Sequence, residues 1–245
     1  DVDNVKGWRP LQGAKAKKAM ARAKAIEQRQ TAAIEEKSRL LKNIERSDAL
    51  KIFQTPYHTK RLVELKDVTI AYGQEPVCGP VSFTIRQGDR IALQGANGSG
   101  KSSILKLICG EEIPYTGEFW RGNGLKISYV SQDTSDLRGS LSDLARDSGI
   151  EESLFLAMLA KLDVAKAQME KDMSSLSAGQ KKKVLLAKSI CEPAHLHIWD
   201  EPMNYIDVIS RMQIEELLIQ FQPTILFVEH DKAFCENVAT EIVAL

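Results

Sequence analysis

At 245 residues the chain has room for one large domain, or for one domain with an appendage. Hydrophobic residues make up 43%, too many for a mainly disordered chain, yet no apolar run approaches the ~20 residues needed to span a bilayer. The net charge of zero hides a polarity: residues 1–61 hold 15 Lys/Arg against 7 Asp/Glu, so a basic arm sits on an acidic body, and the arm's natural partner is polyanionic.

The chain opens on Asp1 without a signal peptide, and so reads as a mature piece or a fragment. If it serves a transporter, the membrane part lies elsewhere. Cys78, Cys109, Cys191 and Cys235 are far apart, with no C-x-x-C and no neighbouring His pair. Reduced cytosolic thiols in a packed core are expected rather than a zinc site or a disulfide framework.

Residues 14–53 lack Pro and Gly and are rich in Ala, Lys, Arg, Glu and Gln, the composition of a long helix. Ala19, Ile26, Ala33 and Leu40 recur every seven residues, but the companion position reads Ala23, Gln30, Lys37, Ile44, so half a seam is apolar. Pro56 and Tyr57 mark a break, giving a helical linker arm over 1–61 and a second domain over 62–245.

From Leu62 the stretch RLVELKDVTIAY alternates and GPVSFTIRQGD follows, an antiparallel strand pair ending in a Gly88-Asp89 turn. IALQG, KISYVS, HLHIWD and TILFVEH then read as buried strands, and KSSILKLIC, KKKVLLAKSIC and DVISRMQIEELLIQF as helices. That alternation predicts an α/β fold, a parallel sheet covered by helices. Residues 133–176 carry no strand signal and form a small helical insert.

Gly95-Ala-Asn97-Gly98-Ser99-Gly100-Lys101-Ser102, followed by Ser103, fits the phosphate-binding loop pattern and lies between a strand and a helix. Its glycines let backbone N–H groups turn inward around phosphates, and the helix N-terminus adds favourable field. Lys101 is expected to reach the β- and γ-phosphates of ATP, and the Ser102 hydroxyl to ligate Mg²⁺. Downstream, an apolar strand ends in Asp200-Glu201, where Asp200 can hold the Mg²⁺ shell and Glu201 can polarise the attacking water. Acidic pairs at strand ends also cap helices, and the phosphate loop upstream decides between the two readings.

Gln132 follows KISYVS, Leu176-Ser177-Ala178-Gly179-Gln180 opens a helix, and His230 follows TILFVE. On these motifs, in this order, residues 62–245 resemble the nucleotide-binding domain of the ATP-binding cassette superfamily, a P-loop NTPase with an antiparallel β subdomain. The resemblance implies that Tyr72 stacks on adenine, that Gln132 senses Mg²⁺ and the γ-phosphate and shares in metal binding, and that His230 is the switch histidine. Ser177, Gly179 and Gln180 would form the signature motif and Asp207 would end the D-loop. Two such domains meet head to tail, each signature helix capping the other's ATP. Lys181, Lys182 and Lys183 crowd the first turn of that helix, where cations are normally unfavourable; an anion delivered in trans would offset them, and a merely solvated basic face is the other reading.

The D-loop EPMNYID resembles the ABC-F class, with its Asn-aromatic-x-Asp pattern at Asn204-Tyr205-Ile206-Asp207. That class joins two cassettes by a helical hairpin and has no membrane domain; the arm would be the hairpin's second helix. IWDEPMNYIDVISRMQIEELL and LFVEHD are most similar to the Lsa/Vga-type antibiotic-resistance branch, which acts on the ribosome. This implies a cytoplasmic ATPase whose partners are a second cassette and ribosomal or transfer RNA. Competing readings are the ATPase subunit of a membrane transporter and a regulatory cassette that barely hydrolyses ATP. Glu201 and His230 argue against the latter.

Overall fold

The structure, a computed structural model, describes residues 54–73 and 75–245. They belong to one compact unit, Leu50–Leu245. The expected helix at 14–53 lies outside the described residues.

Strands β1 (Arg61–Tyr72) and β2 (Glu75–Arg86) pair antiparallel as expected, with Leu65 opposite Phe83 and Val68 opposite Val81. Leu62, Val63, Leu65, Val68 and Ile70 are buried, so the alternation of the sequence does face a core. A third strand, β4 (Tyr115–Arg121), lies on the other side of β1, giving the order β2-β1-β4. Sequence reading missed it because nearly all its side chains are exposed and Gly117 interrupts it. That glycine has a steric reason. A Cβ there would sit 2.4 Å from the Asp67 carbonyl, where β1 bulges with φ of 49°.

The second sheet is parallel, in the order β5-β6-β7-β3-β8, from β3 (Arg90–Gln94), β5 (Ile127–Val130), β6 (Leu196–Asp200), β7 (Ile225–Val228) and β8 (Glu241–Ala244). Its central strands β6 and β7 are buried along their whole length. On one face, Leu196, Ile198, Leu226 and Val228 join the antiparallel sheet and helix α1 (Lys101–Cys109) in one core. On the other, Trp199, Ile225 and Phe227 pack into a second core. That core takes in the insert helices α2 (Leu141–Asp147) and α3 (Glu152–Lys161), together with α5 (Ala178–Cys191), α6 (Val208–Phe221) and α7 (Lys232–Val238). The short α4 (Lys166–Met169) and a 3₁₀ turn (Met173–Ser175) complete a strandless segment where the helical insert was expected. Continuous apolar strands, rather than alternating ones, are what a sheet covered on both faces requires.

The packing begins earlier than the boundary at 61. Thr55 N–H donates to the Ala194 carbonyl at 3.0 Å, and the buried Tyr57 gives its hydroxyl to the Asn123 carbonyl at 2.6 Å. Residues 54–60 therefore pack with the cassette, a reach that their mixed composition did not signal.

Candidate active site

Parallel pairing puts the carboxyl ends of β5, β6, β7 and β3 side by side, the edge where ligands of open α/β sheets bind. In spatial order these ends carry Gln132, then Asp200 and Glu201, then Glu229 and His230, then the Gly95–Ser102 loop. Asn97, Gly98, Lys101, Ser102, Gln132, Glu201, Asn204 and His230 line an open cleft of about 390 Å³.

The loop's conformation depends on glycine at Gly100, where φ is 83° and an added Cβ would fall 2.3 Å from Cys78 Cβ. The Lys101 ammonium folds back onto the Gly95 and Ala96 carbonyls, at 2.9 Å each. Ser99 Oγ is buried without a partner. Tyr72 is half exposed and its hydroxyl donates to Ser103 Oγ at 3.3 Å, which sets an aromatic ring beside the loop helix.

Asp200 is buried at the end of β6. Burial pushes its carboxyl above the ordinary range, against a hydrogen bond from Ser102 and the charges of Lys182 and Lys101 that hold it down. Its Oδ1 has no partner among the described residues. An orphaned carboxylate oxygen beside a serine hydroxyl suits a small hard cation, so the donors present fit Mg²⁺. Glu201 stands next to it in the left-handed region, φ 47°. Its Oε2 accepts from Gln132 Nε2 at 2.8 Å and from Asn204 Nδ2. Its Oε1 lies 3.5 Å from His230 Nε2. A carboxylate held on one oxygen by two amides leaves the other oxygen free for a proton.

The structure thus brings Asn97, Gly98, Lys101, Ser102, Gln132, Glu201 and His230 around one cleft, while Asp200 is buried behind it, hydrogen-bonded to Ser102. Ser177, Gly179, Gln180 and Asp207 do not line it. Ser177 and Gln180 form a reciprocal capping box at the start of α5: the Ser177 hydroxyl accepts from Gln180 N–H, and Gln180 Oε1 accepts from Ser177 N–H. Gly179 backs onto the Tyr205 carbonyl, which a Cβ would meet at 2.5 Å. Asp207 caps α6 and pairs with Lys183 at 2.7 Å. Burial pushes its carboxyl up, but Lys183 and the Ser210 hydrogen bonds prevail and hold it at about 2.

Two expectations from the lysine run change. Lys182 is buried, its ammonium donating to the Ser131 carbonyl at 2.8 Å and reaching the Asp200 carbonyl at 3.4 Å; burial lowers its pKa while Asp200, Glu201 and Glu229 raise it. Lys183 is committed to Asp207. Two of the three cations are thus satisfied within the chain, and neither awaits an anion in trans.

Asn204 and Glu229 escaped sequence reading as site residues. Asn204 reaches Glu201 because the backbone curls through left-handed Glu201 and Tyr205, which no spacing rule reveals. Glu229 is buried and accepts from the N–H groups of Met203, His230 and Asp231.

Residues 78–204 match the ABC transporter family. ATP-binding protein Uup of Caulobacter vibrioides is 33% identical over 195 residues, covering 76% of this chain and 32% of that protein. Ribosome protection protein VmlR of Bacillus subtilis is 33% identical over 184 residues, covering 73% and 33% respectively. The chain spans about a third of the length of these relatives. Among solved structures, the dimeric bacterial ABC transporter cassette MJ0796 aligns with TM-score 0.65 over 75% of this chain and 94% of that one, at 22% identity, a likeness of fold. A match over half its length, on a fold of this kind with the phosphate loop and the acidic pair at one sheet edge, means that the chain belongs to the ABC transporter family as an ATPase cassette.

Proposed function

We propose that this cassette binds ATP with Mg²⁺ in the cleft, hydrolyses it once a second cassette closes over it, and belongs to an ABC-F type protein that couples closure to the ribosome. Gly95 to Ser103 cradle the phosphates, and Lys101 exchanges its two carbonyl partners for β- and γ-phosphate oxygens. Tyr72 stacks on adenine. Ser102, Asp200 and Gln132 hold the metal ion, which when bound neutralises charge on the phosphates. Glu201 takes a proton from the attacking water on Oε1 as the oxygen adds to the γ-phosphorus and the bond to the β-phosphate oxygen breaks, giving ADP and phosphate. His230 supports that transfer. Ser177, Gly179 and Gln180 serve the partner's ATP, with Asp207 holding the D-loop between the two sites.

One observation carries the hydrolytic reading: the Glu201 carboxylate, fixed by Gln132 and Asn204, opens on the same cleft as Lys101 and Ser102. The coupling to the ribosome, and to antibiotic resistance by ribosomal protection, rests on different observations. It comes from the basic composition of residues 1–61, proposed as the linker arm before the cassette of 62–245, and from the similarity to VmlR. Among the described residues no helix is long and apolar enough to cross a membrane.

Co-sedimentation of the full-length protein separates the readings. It should pellet with ribosomes, and its affinity should fall steeply with salt as phosphate contacts release counterions. Reversing Lys17, Arg22 and Lys24 to Glu should weaken binding and flatten the salt dependence while ATP turnover persists. Pelleting with membranes instead would place the cassette in a transporter, and unchanged ribosome affinity in the triple variant would reduce the arm to a spacer.

A further inference from the structure

The structure assigns to Glu229 and Arg211 the task of locking the D-loop and the His230 loop into one unit, which makes them positioning residues for Glu201; the inference rests on the ATPase reading above.

Residues 201–206 leave β6 through an irregular path with two non-glycine residues in the left-handed region, Glu201 at 47° and Tyr205 at 64°. Such conformations persist only where the surroundings over-determine them. The surroundings here are two side chains from elsewhere in the fold. Glu229 is 6% exposed. Its Oε2 accepts from the Met203 N–H at 3.1 Å, and its Oε1 from the His230 N–H at 2.8 Å and the Asp231 N–H at 3.4 Å. Arg211, on α6, donates from Nη2 to the Met203 carbonyl at 2.9 Å and from Nε to the Ile206 carbonyl at 3.1 Å. Its Nη1 reaches Asp231 Oδ2 at 3.4 Å.

Both backbone groups of Met203 are therefore gripped, and each gripping residue also holds the His230 loop. The loops so joined supply two of the three side chains around the Glu201 carboxylate, Asn204 and His230. A displacement of the exposed Tyr205 by a neighbouring molecule would be passed to His230 through this joint. The residue types are specific to the task. A carboxylate only accepts hydrogen bonds and so can receive three N–H groups, whereas an amide would turn a donor against one of them. A guanidinium serves two carbonyls and a carboxylate from three separate nitrogens, whereas an ammonium would have to gather all three acceptors around one.

The test uses Glu229→Gln, Arg211→Met and the double variant of the full chain. Amide hydrogen exchange reads the joint without any turnover. Arg211→Met should speed exchange at the His230 and Asp231 amides about tenfold, though Arg211 bonds neither, while the strand amides of β6 and β7 stay protected. In ATP turnover each single variant should lose roughly tenfold in kcat with KM and nucleotide affinity nearly unchanged. The double variant should lose no more than the worse single, as expected of residues acting as a unit. Arg211→Lys should recover only part of the loss. Exchange that rises only at Met203 and Ile206, multiplying losses in the double variant, or kcat untouched in either single would overturn the inference. If the variants show the exchange pattern while the full-length wild-type protein, with both cassettes, turns over no ATP, the ATPase reading falls and the joint stands.

Discussion

Glu201 and Lys101 share one cleft but are held by different means, and substitution should separate them. Lys101 lies folded on the Gly95 and Ala96 carbonyls, inside the loop that takes the phosphates. Glu201 is held by Gln132 and Asn204, outside that loop. Glu201→Gln should keep ATP affinity and lower hydrolysis by ~10²–10⁴-fold, the range for a positioned general base. Lys101→Ala should weaken binding itself. Equal losses of affinity in the two variants, measured with a fluorescent ATP analogue, would contradict this division. His197 makes a second prediction. It is wholly buried, its Nδ1 3.2 Å from Ser189 Oγ and its Nε2 without a partner among the described residues, and burial lowers its pKa to about 4 despite the charge of Glu192. The unfolded chain binds a proton at this residue below about 6.5, while the folded chain resists until about 4. Stability should therefore fall as pH drops through that window, by about 3 kcal/mol in all. His197→Asn should flatten the slope between those limits in denaturant titrations; an unchanged slope would assign the acid sensitivity to other groups.

Among the elements, α5 links the residues proposed as the signature to the rest of the cassette. Its N-terminus is capped by Ser177 and Gln180, and Gly179 lies against the D-loop, with 2.5 Å from a Cβ to the Tyr205 carbonyl. Backbone cannot yield as a side-chain tip can. Gly179→Ala should cost about 1–3 kcal/mol in a thermal melt, as overpacking does, whereas the neighbouring exposed Ala178 tolerates its methyl. An unaltered melting temperature in Gly179→Ala would mean that the D-loop moves freely. This contact shows where the sequence was mute. Lys101, Asp200, Glu201 and His230 were legible because each follows a strand whose apolar run announces itself. The helices after them were legible by period. β4 was not, because an exposed strand broken by Gly117 carries no hydrophobic pattern, and β8 is a four-residue edge strand. The lysine run was misread for a different reason. Composition shows three cations at a helix start but not that Lys182 turns beneath Asp200 or that Lys183 finds Asp207.

For the whole molecule the site is divided. The cleft holds the groups proposed to take phosphate, metal and the attacking water, while Ser177 and Gly179 stand outside it on α5. On the proposed reading, a single cassette binds ATP and lacks the donors that would close over it. The net negative charge of residues 62–245 gives that body no long-range attraction for a nucleic acid, which leaves the basic stretch before it as the proposed contact with RNA. ATP turnover by the chain alone, followed against its own concentration, tests the central claim most directly. The account predicts slow hydrolysis whose rate rises with the square of protein concentration, as transient pairs complete each other's sites. Brisk hydrolysis that stays first order in protein down to nanomolar levels would contradict it, because one cassette would then suffice.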